Sequence, residues 1–403
     1  LSFLSGGFVE MADDIYKRVA GWMKRLGTET AFEVLARARE LEAQGKSVIH
    51  LEIGEPDFDT PINIINAAKK ALDDGYTHYG PSQGMPKFRE VLAEYITKTR
   101  GVKTSPGQVV ITPGAKPVIF YAVLALVEPE DEVIYPNPGY PIYESVINFI
   151  GAKAVPMPIR EENDFRVDLN EFKSLVSKKT KMVILNSPHN PTGGVLSKED
   201  LKVIADICLD KKIWVVSDEV YCKTIYDGEF HSIYSFDGMK DQMILVDGAS
   251  KTYAMTGWRL GFGVMPEDIA FHITRLVTNS VSHTTSFIQV AGIEAFTGKQ
   301  DKVVEFRDEF KRRRDVIVGG LNEISGYSCH LPKGAFYVFP NIKKTGFESK
   351  ELQKRLLEDA GVASLSGASF GRYGEGYLRF SYANSVENIK EALRRIREFH
   401  SKI

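Results

Sequence analysis

The sequence predicts a mostly parallel α/β sheet with helices on both faces, followed by a smaller α+β domain, and three observations carry that expectation. Short, nearly continuous Val/Ile/Leu runs alternate with longer helical patterns up to about residue 295. Loops rich in Gly, Pro and Asn fall between them. Beyond that point the texture changes to a long charged helix, two short strands and a closing helix.

In chain order, QVVI (108–111) leads through TPGAKP into the helical VIFYAVLALV, and DEVIY (131–135) leads through PNPGYP into IYESVINFIG. KMVIL (181–185), IWVVS (213–217) and MILVDG (243–248) continue the pattern. The later strands are GAFYVFP and GYLRFSYA, and SVENIKEALRRIREFHSKI closes the chain as a helix. The expected division is an N-terminal arm with part of the small domain at 1–57, a large domain at 58–295 and a C-terminal small domain at 296–403, with a continuous helix at the junction.

Composition narrows the function classes. At 403 residues, 43% hydrophobic and 26% charged, the chain is long enough for more than one packed core. A net charge of −2 gives no electrostatic reason to expect nucleic acid or an anionic membrane as partner. The basic run KRRRD (311–315) lies in a helical pattern and reads as a solvated helix face. Three scattered cysteines form neither a disulfide framework nor a zinc pair, so no metal is expected and a reducing cytoplasm fits. The opening LSFLSGGFVE has neither the basic start of a secretion signal nor the length of a membrane span, and Met11 reads as a possible biological start.

An open parallel sheet binds ligands at the carboxyl ends of its strands, so those loops are where chemistry is expected. Asp218 ends a buried run, and by itself reads as a helix N-cap or as a carboxylate facing a buried cation, with Tyr221 three residues on. Asn190, in NSPHNPTGG, offers an amide on a loop pinned by prolines, while His189 reads as a loop histidine. Gly114 and Ala115 precede a helix start with Pro117 in its first turn, where backbone N–H groups can meet an anion. In GASKTYAMTGWRLG (248–261), Lys251 follows Gly248, Ala249 and Ser250, which leave room for a planar ring. A desolvated lysine there could form a Schiff base, and Arg259 could grip a phosphate through two parallel hydrogen bonds. Either residue, taken alone, could equally be an ordinary surface cation.

Together these segments resemble the fold-type I pyridoxal-phosphate aminotransferases of class I/II, from IGEPDFDTP (53–61) to LRFSYA (378–383). The resemblance implies that Lys251 binds the cofactor covalently, Asp218 pairs with its ring nitrogen, and Asn190 and Tyr221 meet its phenolic oxygen. It further implies that Arg259 holds the phosphate with backbone near Gly114, Ala115 and Lys116, that Ser250 assists, and that Tyr140 stacks on the ring. Tyr79 would reach the phosphate of a neighbouring subunit, implying a homodimer with shared sites. Arg379 would grip the substrate α-carboxylate beside the Gly54 backbone, with Asn190 and Tyr140 in the same pocket. Several aspartate enzymes of the family carry Ser where this chain has Gly248, so one hydroxyl contact to phosphate is expected to be missing.

The implied reaction is ping-pong transamination of an amino acid with a 2-oxo acid. Lys116 resembles the lysine that meets aspartate's distal carboxylate, which favours aspartate with 2-oxoglutarate; the same lysine could simply be solvated. Aromatic, alanine or basic amino-acid substrates, and a lyase of the same fold acting on carbon–sulfur bonds, stay open. A DNA-binding regulator with an aminotransferase-like domain is disfavoured, because only about fifty residues precede IGEPDFDTP.

Overall fold

The computed structural model describes residues 18–402. Readings that concern Leu1 to Glu10 or Met11 lie outside the described residues. The chain enters through a short strand, β1 (Ile49–His50), and then lays down β2 (Val109–Thr112), β3 (Glu132–Asn137), β4 (Lys153–Pro158), β5 (Thr180–Asn186), β6 (Trp214–Asp218), β7 (Met243–Gly248) and β8 (Gly261–Val264).

Strands β2 to β8 form one seven-stranded sheet in the order β2-β8-β7-β6-β5-β3-β4. All neighbours are parallel except β8, which runs antiparallel to both β2 and β7. Successive residues alternate between two cores. Met243 and Leu245 of β7 join the cluster on one face, and Ile244 and Val246 join the cluster on the other. That alternation explains the unbroken apolar runs, because both faces are covered and each buried Val, Ile or Leu contributes about 1.5–3 kcal/mol. Strand β4 was not evident in the sequence because KAVPMP carries two prolines; it is tolerated at the sheet edge, where missing N–H donors break few ladder bonds.

The remaining strands, β9 (Tyr337–Val338), β10 (Val362–Ala363), β11 (Leu365–Ser366) and β12 (Leu378–Ser381), build a three-stranded antiparallel sheet and a β1–β10 pair. A third core gathers Ile49, Leu51, Phe310, Phe336, Leu378 and Ile389, so N-terminal residues pack with C-terminal ones. No helix among the described residues is long and apolar enough to cross a membrane.

Two expectations are corrected. The helix expected to run unbroken through the junction is two helices, Ser286–Thr297 and Asp301–Asn322. Gly298 ends the first, and the Gln300 side chain donates to the carbonyls of Ala295 and Gly298, satisfying the frayed end. The basic run is only partly solvated. Arg313 and Arg314 are buried, the first paired with Asp57 and Glu309 and the second with Asp227 and Asp315. Carboxylates arriving from distant segments make that burial tolerable.

Candidate active site

Parallel strands put the ends of β2, β3, β5, β6 and β7 along one edge. The single reversal of β8 brings its beginning to the same edge, since Gly261 pairs with both Gly248 and Thr112. Arg259, which precedes Gly261, therefore lies beside the residues that follow β7 and β2. A cavity of about 520 Å³ opens there, within the ~300–1,000 Å³ common for small-molecule sites. Asp218, Tyr221, Asn190, Ser250, Lys251, Arg259, Ala115, Lys116, Tyr140, Gly54 and Arg379 all line it.

Lys251 sits in a one-turn helix, Ala249–Thr252, directly after β7. Its Nζ donates to the Gly54 carbonyl at 2.6 Å. Burial lowers the ammonium to about 8; Arg379 and Arg259 act in the same direction, against Glu55 and Asp218. Gly54 allows this approach, because a Cβ there would stand 2.2 Å from the Tyr337 hydroxyl.

Asp218 ends β6 fully inside the protein. Burial pushes its carboxyl up to about 6, against the Tyr143 hydroxyl, which donates to it at 2.8 Å, and the Val220 N–H. Neither partner is a cation, so the carboxylate faces the cavity with its charge uncompensated by an ion pair. The reading of Asp218 as a plain N-cap does not describe it, since no regular helix follows β6 directly.

Arg379 is buried on β12. It donates to the Glu52 carbonyl and, at 3.3 Å, to Asn190 Oδ1, and its guanidinium lies 4.6 Å from the Tyr337 ring centroid. Its Nε has no protein partner, so the guanidinium keeps a donor unused. Tyr221 and Tyr337 share a hydrogen bond of 2.7 Å.

Arg259 adopts φ +57° and donates to the Thr256 carbonyl at 2.8 Å. Gly114, with φ +88°, does not line the cavity but packs against Arg259; a Cβ there would sit 2.2 Å from Arg259 Nη2. The helix Lys116–Leu126 starts here with Pro117, which lacks an N–H, in its first turn, and Ala115 and Lys116 at its start line the cavity. At Gly248 a Cβ would lie 3.0 Å from the Leu260 carbonyl, which disfavours a larger residue there.

Tyr79 is not brought to this cavity. It is 89% exposed and lies against His283, with ring centroids 5.6 Å apart. Lys116 lines the cavity but is ion-paired with Glu29, whose carboxylate also accepts from the Tyr140 hydroxyl. His189 is buried against Thr192, away from the chemistry, and burial lowers its imidazole to about 3.

Sequence reasoning missed Tyr143, Tyr337, Asn186 and Glu29, all of which line the cavity. Asn186 ends β5, donates to the Asp218 carbonyl and accepts from the Asn190 N–H, so it ties two predicted residues together. Its position at a strand end was a usable signal. A further buried group lies behind the strand ends: Arg100 bonds Glu219 at 2.8 Å and reaches Asp247 at 3.5 Å.

Comparison with known proteins agrees with this architecture. Residues 46–396 match the family described as aminotransferase class I and II. The chain is 44% identical to an aspartate aminotransferase of Pyrococcus horikoshii, over 90% of this chain and 92% of that one. It is 42% identical to aromatic-amino-acid aminotransferase 2 of Thermococcus litoralis, over 88% and 92%. The solved aspartate aminotransferase of Thermus thermophilus with maleate superposes with a TM-score of 0.91 at 33% identity, covering 95% of this chain and 100% of that one. The chain belongs to the class I and II aminotransferases and is a pyridoxal-phosphate-dependent transaminase.

Proposed function

We propose that this enzyme transaminates L-aspartate with a 2-oxo acid such as 2-oxoglutarate, and that the cavity at the strand ends performs the reaction. The convergence of Lys251, Asp218 and Arg379 in that one cavity carries the reading. The residues fit the cofactor on chemical grounds. A buried carboxylate without a cation at Asp218 suits a protonated ring nitrogen, and a lysine lowered to about 8 suits covalent attachment to an aldehyde. Arg259, Ser250 and the backbone from Gly114 to Lys116 form a cationic, donor-rich cradle for a phosphate. Asn190 and Tyr221 would hold the phenolic oxygen, and Tyr140 would lie on the ring.

Bound there, pyridoxal phosphate supplies an electron sink for the carbanion at the substrate Cα. Asp218 keeps the ring nitrogen protonated, which deepens that sink. Arg379, with a donor to spare, binds the α-carboxylate beside the Gly54 backbone and so orients the Cα–H bond. Lys251 Nζ, once free, takes the proton from Cα. Lys116 meets the distal carboxylate of a dicarboxylic substrate.

The named relatives support aspartate, with an aromatic enzyme among them. A donor screen in single half-reactions tests the choice. Arg379→Ala is expected to weaken every amino donor, by roughly 30-fold or more. Lys116→Ala is expected to harm only dicarboxylic donors; equal loss for alanine and aspartate would remove the aspartate reading. Steady pyruvate and ammonia release from an amino acid without acceptor would instead favour the lyase.

Cofactor affinity is expected to rise with pH in two steps. One lies near 6, where Asp218 becomes anionic, and one near 8, where Lys251 becomes neutral. The sign follows from the charges: a ring cation favours ionised Asp218, so the loaded site holds fewer protons than the empty one. Titrating the cofactor by absorbance between pH 5 and 9 reads both steps. The lower step should be absent from Asp218→Asn, and an unchanged profile in that variant would refute the pairing.

The same reading includes a homodimer with shared sites. Tyr79, away from its own cavity, and the exposed Ile62 and Tyr76 suit a face covered by a second copy. It also includes the division at 57/58 and 295/296, supported by the separate C-terminal core, and a cytoplasmic location, which three buried free thiols suit.

A further inference from the structure

We propose that Glu29 is a specificity-determining residue, a carboxylate of the chain itself that stands beside Lys116 where the distal carboxylate of a substrate would bind, so that one cavity accepts both dicarboxylic and neutral amino acids. The proposal rests on the reading of Lys116 and aspartate given above.

Glu29 occupies the N-cap position of the helix Thr30–Ala43, yet its side chain caps nothing. Asn, Asp, Ser or Thr would serve the helix better. Its Oε1 instead accepts from Lys116 Nζ and, at 3.3 Å, from the Tyr140 hydroxyl. Lys116 Nζ also lies 5.3 Å from the Tyr140 ring centroid, so the three side chains form one cluster on the cavity wall. Burial and the Glu29 charge both hold the Tyr140 phenol protonated, as a donor.

The pair is built to open. The Lys116 and Glu29 side chains keep 38% and 23% of their exposure, and ion pairs with such access to water contribute little. A dicarboxylic substrate therefore exchanges one carboxylate for another at Lys116, with no net change in charge, while Glu29 turns to solvent. A neutral side chain makes no such exchange. Glu29 then stays, and the ammonium is not left unpaired against an apolar group, which would be costly. Phe32, one turn along the same helix and 63% exposed, lines the same cavity and offers apolar surface to such a side chain.

The test compares L-aspartate and L-phenylalanine as donors in single half-reactions of the cofactor-loaded enzyme, in wild type, Glu29→Gln, Glu29→Asp, Lys116→Ala and Glu29→Gln with Lys116→Ala. Glu29→Gln should shift the aspartate-to-phenylalanine ratio of kcat/KM toward aspartate about five- to tenfold, mostly through KM. The unreactive dicarboxylate maleate should inhibit that variant more tightly by a similar factor. Glu29→Asp should fall between, and adding Glu29→Gln to Lys116→Ala should shift the ratio no further than Lys116→Ala alone does. Equal loss for both donors would mark Glu29 as a tether of the N-terminal segment and overturn the proposal, as would a ratio moving less than twofold. If the wild-type enzyme is inert toward aspartate, the aspartate reading falls. Gain of aspartate turnover in Glu29→Gln would then still support the role of Glu29, and failure of both proteins would overturn it too.

Discussion

Replacing Lys251 by alanine is expected to lower the rate of a half-reaction on the order of 10⁴-fold while leaving the fold intact, because the side chain is asked to do two things at once. In the proposed reaction it holds the cofactor, and it moves the proton at the substrate Cα. Both tasks need a neutral amine at working pH, and burial to about 8 supplies one without removing the basicity that proton transfer requires. The lysine's hydrogen bond to the Gly54 carbonyl can be replaced by solvent entering the cavity, and its ammonium lies 5.9 Å from the Phe336 ring centroid, at the outer limit of a cation–π contact. Circular dichroism and thermal unfolding should therefore change little, while single-turnover absorbance loses the fast phase. Borohydride reduction of the wild-type holoenzyme should fix the cofactor to the peptide that carries Lys251. Attachment at any other lysine, or turnover above a few per cent in Lys251→Ala, would refute the assignment.

The second large effect is on stability. Arg100→Met is expected to cost about 3–5 kcal/mol, since it leaves Glu219 and Asp247 buried without their shared cation. Neither carboxylate can reach water: both lie beneath the strand-end residues, one directly after Asp218 and the other directly before Gly248. Glu219 keeps the hydroxyls of Ser217 and Ser232, but Asp247 loses its ion-pair partner and keeps only the Gly248 N–H, the Cys222 thiol and the weaker pull of Lys223. Burial already raises Asp247 to about 6, against the pull of Arg100. Without Arg100 the orphaned Asp247 carboxylate binds its proton more tightly in the folded chain than in the unfolded one. The defect should thus be largest at pH 8 and shrink toward pH 5, as protonation removes the charge. Denaturation midpoints at the two pH values measure this, and adding Glu219→Gln and Asp247→Asn to the variant should recover part of the loss. A pH-independent loss below 1 kcal/mol would show that the cluster is not an electrostatic lock.

What could be read from the sequence was what neighbouring residues encode. Asp218, Asn190, Lys251 and Arg259 each sit within a few residues of a strand end, so the periodic apolar runs that reveal the sheet also locate them. Glu29, Tyr143 and Tyr337 are different. Tyr337 meets Tyr221 from 116 residues away, and Glu29 meets Lys116 from 87. Nothing local marks either contact, because it arises from packing the N-terminal helix and the C-terminal sheet over the strand ends. The basic run misled for the same reason: Asp57 and Asp227, which turn Arg313 and Arg314 inward, are far away in sequence. Tyr79 shows the converse, a residue whose expected role needs a second copy of the chain and so leaves no trace in one.

The reversal of β8 has a consequence for how the chain can vary. Lys251 and Arg259, the proposed covalent anchor and phosphate grip, belong to one excursion that leaves β7 at Gly248 and re-enters the sheet at Gly261, and the pairing of those two glycines fixes both ends. The segment between them therefore works as a ruler. Its length sets the span from Lys251 to Arg259, whatever its side chains are. Substitutions within residues 252–258 keep that length even where they disturb the buried Thr252, Tyr253 and Met255, whereas inserting or deleting a single residue would misplace one grip relative to the other. Loops elsewhere along the same edge, such as the one that carries Asn190, each position one predicted grip rather than two, and so hold one distance fewer fixed.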